Sequence, residues 1–189
     1  MPPERSLFPQ LRKLVEDYPR LTTATLRAGG VWRGGLRASV KVRQHRAFSM
    51  DELRHLGGSD SGPNPMEHFL SSLAGCVCII TPALAQELEM EIQGLQVQVE
   101  GSLDVRGFLG QDGIRPAFST VKVHVRLKTR ESQEQANHLK EEFERRCPFH
   151  YMLVESGASL DSRWEAVPPR RGKRDIWRVL HAGTGKDTT

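Results

Sequence analysis

Apolar residues recur at two different spacings along the chain, and the changes of spacing predict where helices and strands lie. Residues 6–18 repeat apolar side chains every three or four positions, which predicts a short amphipathic helix. The stretches that follow alternate apolar and polar positions, with Gly34 and Gly35 between the first two as turn residues, so they predict strands. The three predicted strands cover residues 22–31, 36–43 and 45–52.

A loop rich in turn-forming residues, 57–65, precedes the longest apolar pattern in the sequence. Asn64 is suited to the N-cap of a helix, Pro65 to its first position, and Glu67 completes a capping box with Asn64. An apolar stripe then continues in steps of three and four through Leu88, which predicts a long helix.

Pro82 interrupts that predicted helix. Because proline has no backbone N–H to donate, we expect the helix to kink there or to restart with Thr81 as a new cap.

The second half of the chain predicts two strands, two helices and a last strand. The strands are expected from Leu95 to about Val105 and from Phe118 to Lys128, with a connection over residues 106–116. The helices follow over residues 131–145 and from Cys147 to about Glu155, and the last strand covers residues 159–167. Runs of strands separated by runs of helices are typical of an α+β domain with antiparallel pairing.

Composition narrows the class of protein. The chain has 189 residues, 38% of them apolar and 26% charged, which is enough for one domain with a core and excludes a disordered chain. No apolar run approaches the ~20 residues of a membrane span, and the first 20 residues lack the apolar core of a secretory signal. We therefore expect a cytoplasmic protein with no membrane association.

Charge is concentrated at one end. Residues 168–189 hold six basic and two acidic groups and so carry the formal charge of +4, while residues 1–167 are neutral. We divide the chain into an N-terminal helical extension (1–20), a main domain (21–167) and a basic tail (168–189). A solvated tail is the simplest interpretation; weak contact of the tail with nucleic acid and a dimer-stabilising arm are alternatives that the sequence does not favour.

Three cysteines allow three interpretations. They could be small buried apolar residues, zinc ligands together with His150, or a redox pair formed by Cys76 and Cys147. Zinc fits poorly, because Cys76 and Cys78 on one helix point in different directions, and we expect no metal. Cys147-Pro148 opens a helix and so lies at the positive end of a helix dipole, whereas Cys76 would need a cation brought by the fold.

Two cysteine-bearing segments resemble the OsmC/Ohr family, the osmotically inducible and organic-hydroperoxide-resistance proteins. GGSDSGPNPMEHFLSSLAGC (57–76) is similar to the glycine-rich loop and central cysteine helix of that family, and RRCPFHYML (145–153) to its second cysteine segment. RGFLG (106–110) and RPAFSTVKVHVRL (115–127) resemble the paired strands of its OsmC-like branch.

The resemblance implies an intertwined homodimer in which antiparallel sheets wrap around the long cysteine-bearing helices. It also implies a Cys-based peroxidase of oxidative-stress defence without a cofactor, in which Cys76 attacks an organic hydroperoxide and Cys147 resolves the sulfenic acid as a disulfide. A dithiol, either a lipoyl protein or a thioredoxin-like protein, would reduce that disulfide. The expected apolar substrate pocket is lined by Met66, Phe69, Leu73 and Ile80.

One position departs from the family pattern. The peroxidase branches carry a glutamate directly after Asn-Pro, where it holds an activating arginine, and this chain has Met66 there. Arg54 is the expected activator of Cys76, because LRHLGG resembles the family's Arg-x-Leu-Gly-Gly, and Arg43 is the second candidate. The alternative function is a catalytically silent relative that binds a small apolar or electrophilic ligand or senses oxidant.

Overall fold

A computed structural model describes residues 7–169, so most of the predicted basic tail lies outside the described residues. The described chain is an α+β protein with two three-stranded sheets. Its helices are α1 (Leu7–Asp17), α2 (Pro65–Glu87), α3 (Val105–Phe108), α4 (Gln133–Arg146) and α5 (Pro148–Glu155). Its strands are β1 (Ala28–Trp32), β2 (Arg37–Val42), β3 (Phe48–Asp51), β4 (Ile92–Leu103), β5 (Phe118–Thr129) and β6 (Ser159–Val167).

The chain divides into two compact units, which are described separately. The N-terminal unit holds Pro9–Ser72, and the C-terminal unit holds the described residues on either side of it, Leu7, Phe8 and 73–169. The two boundaries fall inside α1 and α2, so each of these helices contributes residues to both units. The proposed division at residues 20 and 167 remains a prediction.

In the N-terminal unit, β1, β2 and β3 form an antiparallel sheet with β2 in the centre. Gly34 and Gly35 both take positive φ angles, 92° and 55°, which a turn between β1 and β2 requires and which glycine adopts without steric cost. β1 begins six residues later than predicted. A 3-10 turn at Pro19–Leu21 comes before it, in which the backbone N–H and the hydroxyl of Thr22 donate to the Pro19 carbonyl, and residues 23–27 form no regular element.

A buried carboxylate organises the loop that leads into α2. Asp51 is 2% exposed and accepts hydrogen bonds from the hydroxyls and backbone N–H groups of Ser59 and Ser61. These bonds, the Ser59 hydroxyl first, hold the pKa of Asp51 far below its usual range. The ionised carboxylate at the end of β3 therefore holds residues 59–61 of the loop by hydrogen bonds.

The capping box that opens α2 has the predicted geometry. The Glu67 N–H donates to Asn64 Oδ1 at 2.9 Å, and the Asn64 N–H donates to Glu67 Oε2 at 2.7 Å. The prediction that the helix restarts at Thr81 is wrong, because α2 continues through Pro82. Thr81 is fully buried there, and burial of this face within the domain favours continuous helix despite the lost hydrogen bond.

By length and apolar composition α2 could cross a membrane, although the core helix of a globular protein passes the same test. Polar and small residues interrupt the apolar residues of α2, so a search for uninterrupted apolar runs does not detect this helix. In this fold α2 carries core residues of the C-terminal unit, including Val77 and Leu84, which are both fully buried.

In the C-terminal unit, β5 lies between β4 and β6. β4 and β5 pair antiparallel, but β6 pairs parallel to β5. The parallel pairing follows from the connection between the strands. Helices α4 and α5 form a crossover that brings the chain back to the N-terminal end of β5, where β6 begins. β4 ends two residues earlier than expected, since Asp104 accepts from the Arg106 N–H and caps the short helix α3.

The core of this unit follows the predicted alternation of β5. Val121, Val125 and Leu127 are fully buried, and Lys122 between them is exposed. α4 adds Leu139 and Phe143, whose ring lies 5.4 Å from that of Trp164 in β6. This layer of helix on sheet fixes where α4 ends, and the end of α4 is where Cys147 lies.

Candidate functional site

The two cysteines predicted to react with each other lie side by side. The Sγ atoms of Cys76 and Cys147 are 3.2 Å apart, with the Cys147 thiol donating a hydrogen bond to Cys76. Cys147 is 1% exposed, and Cys76 is half-buried. A disulfide bond is about 2.05 Å long, so the sulfurs need to approach by only about 1 Å to form one.

The helix register explains the partial exposure of Cys76. The buried stripe of α2 runs through Leu73, Val77, Thr81 and Leu84. Cys76 lies beside that stripe, one position before Val77, and is only half-buried. A thiol at the edge of a buried face packs against the core on one side and is accessible to a small molecule on the other.

Cys147 owes its position to the junction of two helices. It is the C-cap of α4 and the N-cap of α5, with extended backbone angles of −82° and 118°. Pro148 imposes this extended conformation on the preceding residue and begins the new helix. At the other end of α5, Arg115 Nη1 donates to the Ser156 carbonyl at 2.8 Å. Both ends of the short helix are thus anchored.

The surroundings of Cys76 disfavour its thiolate. Burial, reinforced by the neighbouring Cys147 sulfur, raises the pKa of Cys76 to about 12. Two sulfurs 3.2 Å apart repel each other when both are ionised, and a buried thiolate loses hydration. Within the described part of the C-terminal unit, no guanidinium donates a hydrogen bond to Cys76.

Cys78 provides a contrast on the same helix. Its side chain is exposed, although partial burial raises the pKa of its thiol as well. Among residues 7–169, no group of three or more His, Cys, Asp or Glu side chains is arranged to hold a metal ion.

The other predicted site residues are distributed over both units. Arg54 lies in a 3-10 turn at Arg54–Leu56, and Arg43 Nη2 lies 3.0 Å from His45 Nε2. Of the predicted pocket residues on α2, Leu73 is 2% exposed, and the other three are half-buried: Met66, Phe69 and Ile80. Their roles in activation and substrate binding remain predictions.

Sequence reasoning missed a charged cluster beside Cys147. Arg146 Nη1 donates to Glu87 Oε2 at 2.7 Å, and Arg146 Nη2 donates to Glu142. The spacing of Glu142 and Arg146 is a recognisable helical pair, but Glu87 is 59 positions away and carries no local signal. His150, which also follows Cys147 closely, has Nε2 3.9 Å from a Glu144 carboxylate oxygen.

Comparison with solved structures identifies the fold. An OsmC-like protein from Mycoplasma pneumoniae is 19% identical and has a TM-score of 0.65, with 77% of this chain and 99% of that one covered. An organic hydroperoxide resistance protein OsmC from Legionella pneumophila gives 19% identity, a TM-score of 0.62 and the same coverage. An OsmC-like protein of unknown function from Vibrio cholerae gives 9% identity and a TM-score of 0.64, covering 76% and 100%.

No curated protein matches the sequence at a significant level. The family model described as OsmC-like protein matches residues 58–163, more than half of the chain. That range includes most of the loop before α2, Cys76 and Cys147, and strands β4 and β5 between them. The chain therefore belongs to the OsmC-like family.

Proposed function

We propose that this protein is a thiol peroxidase that reduces organic hydroperoxides and serves in oxidative-stress defence. The observation that carries the proposal is the 3.2 Å separation between the sulfurs of Cys76 and Cys147. Membership of the OsmC-like family supports a redox or stress role. A solved relative with the same fold is described as an organic hydroperoxide resistance protein.

The proposed reaction has two steps at sulfur. The Cys76 thiolate attacks the terminal peroxide oxygen, an S–O bond forms, the O–O bond breaks, and the departing alkoxide takes a proton to become the alcohol. The Cys147 thiol then attacks the sulfenic sulfur of Cys76, forming an S–S bond. Hydroxide leaves and becomes water with the proton that Cys147 loses.

A dithiol reductant completes the cycle. Thiol–disulfide exchange with a lipoyl or thioredoxin-like dithiol opens the Cys76–Cys147 bond and oxidises the reductant to its own disulfide. In the proposed cycle every step of this protein takes place at its cysteine sulfurs, and the proposal includes no cofactor bound to the chain.

Apolar surroundings favour an organic peroxide over hydrogen peroxide. α2 carries the proposed pocket residues Met66, Phe69, Leu73 and Ile80, and all four side chains are apolar. Burying an alkyl or aryl group against such side chains contributes roughly 25 cal/mol per Å² of apolar surface. Hydrogen peroxide has no group that gains from this burial.

Activation of Cys76 is the demanding step. Burial raises the pKa of the Cys76 thiol. We propose that a cation offsets part of this increase in pKa, although no guanidinium of the described C-terminal unit bonds to Cys76. Arg54 is the first candidate and Arg43 the second. The reacting species is the thiolate, so the rate of peroxide consumption should increase with pH above neutrality.

Peroxide-dependent thiol loss tests the function directly. With cumene hydroperoxide and a dithiol reductant, Cys76→Ser should reduce turnover to background. Cys147→Ser should leave Cys76 to overoxidise to sulfinic acid, which mass spectrometry detects as two added oxygens. Cys78→Ser is the matched control, because Cys78 is an exposed thiol on the same helix, and it should retain activity. A wild-type protein that loses no thiol with peroxide would refute the proposal.

Two observations favour a second candidate, a catalytically silent protein that binds a small apolar or electrophilic ligand or senses oxidant. Met66 stands where peroxidases of the family carry glutamate, and the pKa of Cys76 is raised. Such a protein would form the Cys76–Cys147 disulfide once under oxidant but would not sustain turnover with a dithiol reductant. The same assay, followed over many turnovers, separates the two functions.

We further propose that the protein is a cytoplasmic homodimer. Large apolar side chains are exposed in both units, including Trp32 in β1 (75% exposed) and Ile79 in α2 (75% exposed). Every residue of β1 is exposed. Apolar surface of this extent is unusual on a monomer and favours burial against a second copy.

A further inference from the structure

We propose that Arg146 is a positioning residue for the dithiol, holding the end of α4 against the end of α2 so that Cys147 stays next to Cys76. This inference rests on the proposed pairing of the two thiols, but it does not require peroxidase turnover. It concerns an ion-pair cluster, Arg146–Glu87–Glu142, that neither the sequence motifs nor the proposed reaction uses.

The cluster joins the two elements that carry the thiols. Glu87 is the last residue of α2, the helix of Cys76, and Arg146 immediately precedes Cys147. One amino nitrogen of Arg146 donates to Glu87 at 2.7 Å, and the other donates to Glu142 within α4. The guanidinium thus links the two carboxylates across the helix ends, one residue away from the resolving thiol.

Partial burial makes the link costly to break. The side chains of Arg146, Glu87 and Glu142 are 24%, 16% and 18% exposed, so water competes only weakly for them. Burial alone would lower the pKa of Arg146, but the hydrogen bonds to Glu87 and Glu142 outweigh it and raise that pKa. Removing the Arg146 guanidinium takes away the cation that both partly buried carboxylates share, which costs the folded state free energy.

Packing on the guanidinium adds a further constraint. The Arg146 Cζ lies 5.8 Å from the centroid of the Phe8 ring, within the range of a cation–π contact. Its Nε is buried and has no hydrogen-bond partner among the described residues, so the two amino nitrogens carry the ion pairs. A lysine at this position has a single nitrogen and cannot reproduce the fork between two carboxylates.

The neighbouring arginine offers a matched control. Arg145 also pairs with Glu142, at 2.6 Å, but its side chain is 63% exposed and its described ion pair stays within α4. Replacing Arg145 therefore removes an arginine–glutamate pair from the same helix without removing the bond to α2.

The equilibrium between dithiol and disulfide tests the proposal. In a Cys78→Ser background, the fraction of Cys76–Cys147 disulfide is measured against the ratio of oxidised to reduced dithiothreitol. Each protein disulfide formed opens one disulfide of the reagent, which takes up two electrons and two protons. Repeating the titration in denaturant removes the contribution of the fold, and all variants should then agree.

We expect Arg146→Met and Glu87→Gln each to shift the native equilibrium toward the dithiol at least threefold more than Arg145→Met, with Arg146→Lys in between. Circular dichroism establishes that each variant is folded at the temperature used, and Glu87→Gln provides the test where Arg146→Met does not fold. Shifts below threefold relative to Arg145→Met would overturn the proposal, as would a parent protein that forms no disulfide. Because the titration uses oxidised dithiothreitol in place of peroxide, it tests the role of Arg146 even if the protein has no peroxidase activity.

Discussion

At the scale of single residues, the Cys76 sulfur combines two opposing requirements. It must approach an apolar substrate and the Cys147 thiol, and both demands favour burial. The reaction nevertheless needs a thiolate, which burial disfavours. Burial prevails among the described residues, and it raises the pKa of Cys76 to about 12.

Alkylation by iodoacetamide measures this balance. We expect the rate at Cys76, followed by peptide mass spectrometry, to keep increasing with pH beyond about 8.5, the ordinary thiol value. In Cys147→Ser the midpoint should move downward, because the second sulfur no longer opposes ionisation, but it should stay raised, since burial is the larger cause.

The exposed thiol of Cys78 serves as the internal comparison on the same protein. A Cys76 midpoint at or below about 8.5 would show that burial and the Cys147 sulfur do not by themselves determine the ionisation of Cys76. A cation, Arg54 or Arg43 in our proposal, would then already act on the resting thiol.

The origin of each site residue decides how well the sequence predicts it. Cys76 and Cys147 belong to two recognisable segments, and both were predicted. The bond between Glu87 and Arg146 depends on where α2 and α4 end relative to each other, and residues 59 positions apart give no periodic signal of that. Tertiary ion pairs of this kind become visible only once the helices are packed.

At the scale of elements, the loop between β3 and α2 depends on one ionised carboxylate. The pKa of Asp51 is lowered, chiefly by the Ser59 hydroxyl. A lowered pKa means that the loop contacts stabilise the fold fully above the unfolded value of about 3.9, and that this stabilisation is lost as pH falls below it.

Asp51→Asn tests this linkage. We expect the variant to be less stable than the wild type at pH 7 and the difference to shrink as pH falls below about 4, because Asp51 of the unfolded wild type then becomes protonated while the native carboxylate stays ionised. Urea unfolding at several pH values provides the measurement. Asp60→Asn is the control, since Asp60 is an exposed carboxylate in the same loop, and Asn also tolerates its φ of 55°.

A stability difference between Asp51→Asn and wild type that persists unchanged at pH 3 would contradict the role given to the charge. A loss of equal size in Asp60→Asn would do so as well.

Local patterns predicted the elements better than their connections. The capping box at Asn64 and the alternation along β5 are encoded by neighbouring residues, and both were predicted correctly. The parallel pairing of β6 was not predicted, and of the two alternatives at Pro82 the restart at Thr81 was wrong, because each depends on tertiary packing that overrides the local preference.

At the scale of the whole molecule, exposed apolar side chains remain to be accounted for. α2 is the longest helix of the described chain and is largely apolar, yet Ile79 near its middle is 75% exposed. A helix with a buried stripe on one side and bare apolar residues on another favours a second apolar partner. A second copy of the chain supplies that surface without any further component, and a two-fold axis would bring equivalent faces together.

Light scattering coupled to size-exclusion chromatography tests this assembly. We expect wild-type protein at twice the mass of the chain and Ile79→Glu at a smaller average mass, because a charge buried without a partner in an apolar interface is costly. Leu109→Glu is the control, since Leu109 is 73% exposed and lies outside α2, and it should leave the mass unchanged. A monomeric wild type would refute the dimer. An Ile79→Glu variant that keeps the wild-type mass would place the interface away from this face of α2, and the exposed apolar residues of β1 would then be the next surface to test.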